Sequence, residues 1–292
     1  MIHVEIIANP IAGTKRTQRK AKIFIESLEK HFQTKTTYTE YAGHAFILAK
    51  QAVAQHTDTL VAIGGDGTVN EVTQALVNSK TSLFIIPIGS GNGLARDLNM
   101  YGLSIQQIIK KIELNQTYRI DSGNVNGNNF FCTFGVGFDA FIGHLFAKNK
   151  VRGFYTYVKL CLQAFCSYKS QEYTICTQGN RLIYKAFLIN IANNKQFGNH
   201  AYIAPKADLT DRLFTVTIIK PFKWYHIPYM TYSLFLRKML TNKFVISFNC
   251  GDCELSIPEH SYLHIDGNPI NINSNRLSIK MQAGSVKTIL CV

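Results

Sequence analysis

The sequence predicts an α/β domain built on a parallel sheet, residues 1–118, followed by a mainly antiparallel β domain, residues 119–292. Three patterns lead there. Short apolar runs alternate with helical periodicity over about the first 115 residues; three glycine-rich turns of that half each follow a strand; and after Tyr118 the pattern becomes apolar–polar alternation punctuated by turn pairs. No internal repeat, low-complexity tract or long linker separates the halves. They are therefore expected to pack closely with a cleft between them, the last strand being free to return to the first domain.

Ile2–Ala8 is an apolar strand, and the basic segment Thr14–Phe32 has amphipathic helical spacing. Thr34–Thr39 makes a second strand and Ala45–Gln55 a second helix. Thr59–Ile63, TLVAI, is short and apolar as a buried parallel strand requires, and Val69, Val72, Thr73, Leu76 and Val77 recur at helical spacing behind it. Between the two lies Gly64-Gly65-Asp66-Gly67-Thr68. A glycine inside an element costs roughly 0.5–1 kcal/mol relative to alanine, so three of them signal a need for bare backbone. A strand-to-helix turn has that need: free N–H groups and the positive helix end converge there, and without side chains a phosphate can approach closely. Leu83–Ile88 is a fourth strand leading into Gly89-Ser90-Gly91-Asn92-Gly93, and Asn9-Pro10-Ile11-Ala12-Gly13 follows the first. Three phosphate-compatible turns on one sheet edge point to nucleotide binding.

In the second half, Asn126-Gly127-Asn128, Gly179-Asn180 and Asp266-Gly267-Asn268-Pro269 are hairpin signals. Two helical segments interrupt the strands, Gly153–Lys169 and Phe222–Leu240. The second is aromatic and basic, with Trp224, Tyr225, Tyr229, Tyr232, Phe235, Arg237 and Lys238. Such a helix can touch a membrane or line a lipid channel, or its apolar side can cover the sheet; covering is expected for most of its residues, with Pro228 breaking or kinking it.

Thirty-one basic against 18 acidic residues leave a formal charge of +13, which suits an anionic partner such as a nucleotide phosphate or an anionic bilayer. No nucleic-acid-binding signature accompanies the charge, so no nucleic acid partner is expected. The N-terminus lacks a basic region before its apolar stretch, and no apolar run is long enough to span a bilayer. Seven scattered cysteines read as reduced thiols of a cytoplasmic protein, and Cys250-Gly251-Asp252-Cys253 as a β-turn with two incidental thiols.

The ordered set NPIAG, TEYAGHAFILA from Thr39, GGDGTVNE, IPIGSGNGLAR, GVGFDA from Gly135, APKADLTDRLFTV from Ala204 and the IDGN turn at Ile265 resembles the diacylglycerol kinase and sphingosine kinase superfamily over nearly the whole chain. The resemblance implies a Rossmann-like, NAD kinase-like first domain and an ATP-dependent, Mg2+-requiring lipid kinase. It implicates Asn9, Gly13, Thr39, Gly64, Gly65, Asp66, Gly67, Thr68, Asn70 and Ser90 in holding ATP. Phosphoryl transfer depends mostly on positioning and charge stabilisation, which backbone donors and a Mg2+ ion provide. Asp66 is expected to act through that metal, and Asp121 resembles an aspartate of the family's water-linked metal network. The resemblance gives Asp266 the role of base toward the attacking hydroxyl, and gives a structural Mg2+ to Asp211 with the backbones of Asp208 and Leu213.

This chain departs from the pattern at three places: Gly93 stands where bacterial members usually carry aspartate, Asn268 where the D-G-E glutamate stands, and Arg212 where glycine follows the metal-loop aspartate. The GSGN loop is nearer the sphingosine and ceramide kinase form. The substrate therefore stays open between diacylglycerol and a sphingoid or ceramide-type lipid, met peripherally at an anionic membrane surface, and a homodimer stays open too. Two other readings compete: NAD kinase, which shares the GGDGT turn but not the early NPIAG and GSGN loops, and a binding protein without turnover, which Gly93 and Asn268 would permit.

Overall fold

Strand and helix alternate through the first half as the periodicity requires. The computed structural model describes residues 2–148 and 154–291. The chain divides into two units, one running to Ser122 and resuming at Ala283, the other Gly123–Gln282.

The first unit contains β1 (His3–Ala8), α1 (Lys15–His31), β2 (Gln33–Tyr38), α2 (His44–Ala54), β3 (Thr59–Gly64), α3 (Asp66–Leu76), β4 (Ser82–Pro87), α4 (Gly93–Asp97), α5 (Ile105–Leu114) and the start of β5 (Thr117–Val125). The strands pair in parallel in the order β2-β1-β3-β4. Every residue of β3 is buried, which explains its lack of alternation: a central parallel strand is covered on both faces. Thr14 caps α1 by accepting the Thr17 N–H, and Ser104 caps α5 in the same way through Gln107. The helix α5 is absent from the periodicity reading, although its Ser-x-x-Gln cap is plain in the sequence.

The second unit holds β6 (Asn128–Phe130), β7 (Thr133–Gly137), α6 (Phe138–Lys148), α7 (Phe154–Phe165), β8 (Gln171–Thr177), β9 (Asn180–Ala186), β10 (Leu188–Ala192), β11 (Phe214–Ile219), α8 (Ile227–Phe235), β12 (Val245–Cys250), β13 (Cys253–Ser256), β14 (Leu263–Ile265), β15 (Asn268–Ile270) and the first half of β16 (Arg276–Ile289). One sheet runs β12-β11-β10-β7-β14-β15 and another set β16-β13-β8-β9, antiparallel throughout. Phe130, Phe134, Phe214, Tyr173 and Leu255 pack in the core of this unit. The last strand is long enough to leave it, and Thr288 of β16 lies beside Leu83 of β4 in parallel.

Each two-residue hairpin loop has both residues at positive φ, as type I′ turns demand: Asn126 and Gly127, Gln178 and Gly179, Asp266 and Gly267. The second turn is one residue earlier than its Gly-Asn signal suggests, because Thr177 pairs with Asn180. The segment Phe222–Leu240 is not one helix. A 3-10 turn, Trp224–His226, leads into α8, where Pro228 sits in the first turn and breaks nothing; a second 3-10 turn, Met239–Thr241, follows. The helix predicted from Gly153 begins at Phe154, Gly153 itself lying outside the described residues. All seven cysteines are free thiols, and the Cys250–Cys253 corner carries the chain from one strand set to the other.

Candidate active site

The β3 turn and the β4 turn of the first unit are clasped together. Asp66, at the start of α3, accepts the backbone N–H of Asn92 on Oδ2 at 2.8 Å and that of Gly93 on Oδ1 at 3.0 Å. The carboxylate thereby caps α4 as well as opening α3. This contact is what the glycines permit: a Cβ on Gly91 would stand 2.5 Å from Asp66 Oδ2, and one on Gly89 2.7 Å from the Gly65 Cα. Asn92 takes the left-handed conformation, its Nδ2 donating to the Gly89 carbonyl at 2.6 Å. From the following helix, Arg96 Nε donates to the Gly91 carbonyl at 3.0 Å while its guanidinium lies 3.8 Å over the Tyr101 ring.

The first loop joins the same cluster. Asn9 Nδ2 donates to Thr68 Oγ1 at 3.1 Å, and Gly13, at φ +75°, packs directly on the Ile88 carbonyl and the Thr17 hydroxyl. Asn9, Gly13, Gly64, Gly65, Asp66, Thr68 and Gly91 are thus brought together, with Gly67 and Ser90 exposed and Asn70 half-buried two residues beyond Thr68 along α3. Thr39 lies just past the end of β2, its N–H bonded to the Ala8 carbonyl. Sequence reasoning missed Glu71, whose two carboxylate oxygens accept the Gly43 and Ala45 N–H groups and cap α2. It also missed Arg96. Asp121 is buried on β5, where Oδ1 accepts the Gly284 N–H at 2.6 Å, beside a Ser122–Ser285 hydroxyl pair.

In the second unit, Asp266 does more than turn a hairpin. Its Oδ1 accepts the Cys132 and Thr133 N–H groups at 2.7 and 2.9 Å, and its Oδ2 that of Phe131 at 3.0 Å. Burial pushes the carboxyl above its ordinary range, against the pull of the three N–H donors and of His264. A buried pair unforeseen in the sequence adjoins it. The Gly267 N–H lies 3.3 Å from His264 Nδ1, and the other ring nitrogen, Nε2, lies 3.0 Å from Asp139 Oδ2. This pair lies over Gly135, where a Cβ would overlap the imidazole and stand 2.7 Å from the Asp139 carboxylate.

The loop assigned to a structural metal is tied to itself. Asp208 Oδ1 accepts the Thr210 N–H and hydroxyl, and Asp211 Oδ1 the Leu213 N–H. Both aspartates are exposed. Arg212 sits at φ +61°, which explains why glycine suits this position and makes arginine a strained occupant. Among the described residues, no group of three or more His, Cys, Asp or Glu side chains could hold a metal ion.

The chain thus joins a parallel α/β unit with clasped glycine turns to an antiparallel β unit. Residues 3–125 match the diacylglycerol kinase catalytic domain, and residues 133–284 the YegS C-terminal NAD kinase beta sandwich-like domain. The chain belongs to the diacylglycerol kinase-like family of lipid kinases. It is 26% identical over 275 residues to the diacylglycerol kinase of Bacillus subtilis, covering 91% of this chain and 90% of that one. It is 27% identical over 221 residues to the diacylglycerol kinase of Staphylococcus aureus, covering 74% and 70%. The crystal structure of a Bacillus anthracis diacylglycerol kinase superposes with a TM-score of 0.76 at 18% identity, over 99% of this chain and 97% of that one, a likeness of fold.

Proposed function

We propose that this chain is an ATP-dependent lipid kinase that transfers the terminal phosphoryl group to a lipid hydroxyl, of diacylglycerol or of a sphingoid or ceramide-type lipid, at a membrane surface. The observation that carries the reading is the Asp66 clasp, which presents two glycine turns as one bare-backbone surface. Asn9, Gly13, Thr39, Gly64, Gly65, Gly67, Thr68, Asn70 and Ser90 are assigned to the nucleotide on this reading. Each Asp66 oxygen accepts one N–H and keeps a further lone pair, so the exposed carboxylate fits a role toward Mg2+, and Asp121 is assigned to the same metal network. When bound, Mg2+ would neutralise developing phosphate charge.

Asp266 is assigned the proton of the attacking hydroxyl. The N–H groups of Cys132 and Thr133 on Oδ1 and of Phe131 on Oδ2 fix the orientation of its carboxylate. Its raised pKa brings it closer to the acceptor strength a general base needs. Asp211, with backbone oxygens of Asp208 and Leu213, supplies hard donors for a structural cation, although the Asx turns already hold that loop.

A thin-layer assay with labelled ATP against diacylglycerol, ceramide, sphingosine and NAD tests the function. A labelled lipid supports it. Phosphorylated NAD would transfer the assignment to NAD kinase, and ATP binding without any product would make the chain a non-catalytic member.

A further inference from the structure

The segment around α8 turns its aromatic side outward. Met230 and Ser233 are buried, Ser233 being only 1% exposed, and Ser233 Oγ is tied inward by the Asn242 amide at 2.8 Å. Tyr229, Tyr232 and Phe235, at helical spacing on the other side, are exposed together with Leu236, Leu240 and Tyr225. Trp224 is 69% exposed. Soluble helices put their apolar stripe inward; this one buries a serine and shows water its rings. The expectation that most of these residues cover the sheet is therefore reversed.

Charge says what meets this face. From Arg212 to Gly251 the chain contains no aspartate or glutamate, but carries Arg212, Lys220, Lys223, Arg237, Lys238 and Lys243. Four of these frame the aromatic residues. Lys223 lies 5.9 Å over Tyr225, Lys243 5.2 Å over Phe244, and Lys238 Nζ donates to the Tyr232 hydroxyl at 2.8 Å; Arg237 reaches Tyr202. Tyrosine and tryptophan suit the headgroup level of a bilayer, with an apolar ring and a polar tip, and flanking lysines suit its anionic charge. A second copy of the chain would bring the same cations against these, which repels.

We propose that the face carried by Lys223–Lys243 docks on an anionic bilayer, with Trp224, Tyr229, Tyr232 and Phe235 entering the headgroup region and Lys223, Lys238 and Lys243 facing the lipid phosphates. It gives the lipid-kinase reading its route to substrate and rests on that reading for its purpose, but the binding needs no ATP and no turnover.

Trp224 is the chain's one tryptophan, so its emission reports this face directly. The full chain, without nucleotide, is mixed with phosphatidylcholine vesicles or with vesicles also containing phosphatidylglycerol, at low and high salt. The expected result is sedimentation with the anionic vesicles, a blue shift of Trp224 emission and quenching by brominated lipid, all weakened by salt. Replacing Lys223, Lys238 and Lys243 with glutamate should lower partitioning by about a hundredfold, since each contributes on the order of one kcal/mol at such a surface. Tyr229→Ser with Phe235→Ser should lower it too, with unfolding transitions confirming that both variants fold. Sedimentation without a change in Trp224 emission would overturn the assignment, because another surface would be docking. No binding to anionic vesicles, or a vesicle-independent shift that grows with protein concentration, would overturn it as well, the latter marking a protein interface. Labelled NAD in the kinase assay, with the vesicle result intact, would remove the lipid-kinase reading and leave the docking face standing.

Discussion

Two Asp-Gly turns in this molecule share a dipeptide and a habit, and differ in almost everything else. Asp66 opens a helix, is exposed, and accepts N–H groups of Asn92 and Gly93. Asp266 turns a hairpin at φ +48°, is desolvated, and accepts N–H groups of Phe131, Cys132 and Thr133. Each carboxylate fastens a segment distant in sequence. On the proposed reading the exposed one is assigned toward Mg2+ and the desolvated one, whose pKa is raised, toward the proton. Environment, more than residue type, divides work between metal-directed and proton-directed carboxylates.

The largest effect expected from this contrast is at Asp66. Asp66→Ala should abolish phosphoryl transfer, and because two charge-assisted bonds to the Asn92 turn go with it, stability should fall by about 1–3 kcal/mol. Turnover at saturating Mg2+ and a urea titration check the two parts; near-normal turnover would remove Asp66 from the mechanism. Gly91→Ala should come next. Its Cβ would meet Asp66 Oδ2 at 2.5 Å, so the carboxylate must move, and ATP affinity should drop by about tenfold with a smaller change in turnover, read by nucleotide titration.

Smaller effects sharpen the other turn. The charge of His264 lowers the Asp266 pKa, so His264→Gln should move the acid limb of kcat/KM to higher pH. An unmoved limb would separate the His264–Asp139 pair from the base. Stability should respond in the opposite sense. A carboxyl whose folded pKa lies above its unfolded value gives its full stability below the unfolded pKa and loses it as pH rises through the folded one. Asp266→Asn should flatten that decline in a series of denaturant titrations across the acid range, whatever it does to the overall level.

The sequence made the turns legible because glycine, asparagine and aspartate are local signals of positive φ and open backbone. The three glycine loops, the hairpins at Asn126 and Asp266, and the parallel strands all follow from such signals. The clasps were not legible. Their acceptors are carboxylates, but their donors are main-chain N–H groups of Asn92, Gly93, Phe131, Cys132 and Thr133, which almost any residue would provide. The helix α6 escaped because FDAFIGHLF is apolar on several sides and has no clear stripe. At α8 periodicity located the aromatic face but not its direction, since a stripe of rings reads alike whether it meets a core or a bilayer.

The division of labour between the two turns is tested most directly by measuring ATP affinity and single-turnover phosphoryl transfer in Asp266→Asn beside the unaltered chain. The account predicts ATP binding within a few-fold of normal and transfer slowed by about a hundredfold or more, with an unfolding curve showing that the hairpin is still held. Transfer at the normal rate would make Asp266 a structural acceptor alone and contradict the account, as would loss of ATP binding in a folded variant, which would put the nucleotide at the hairpin.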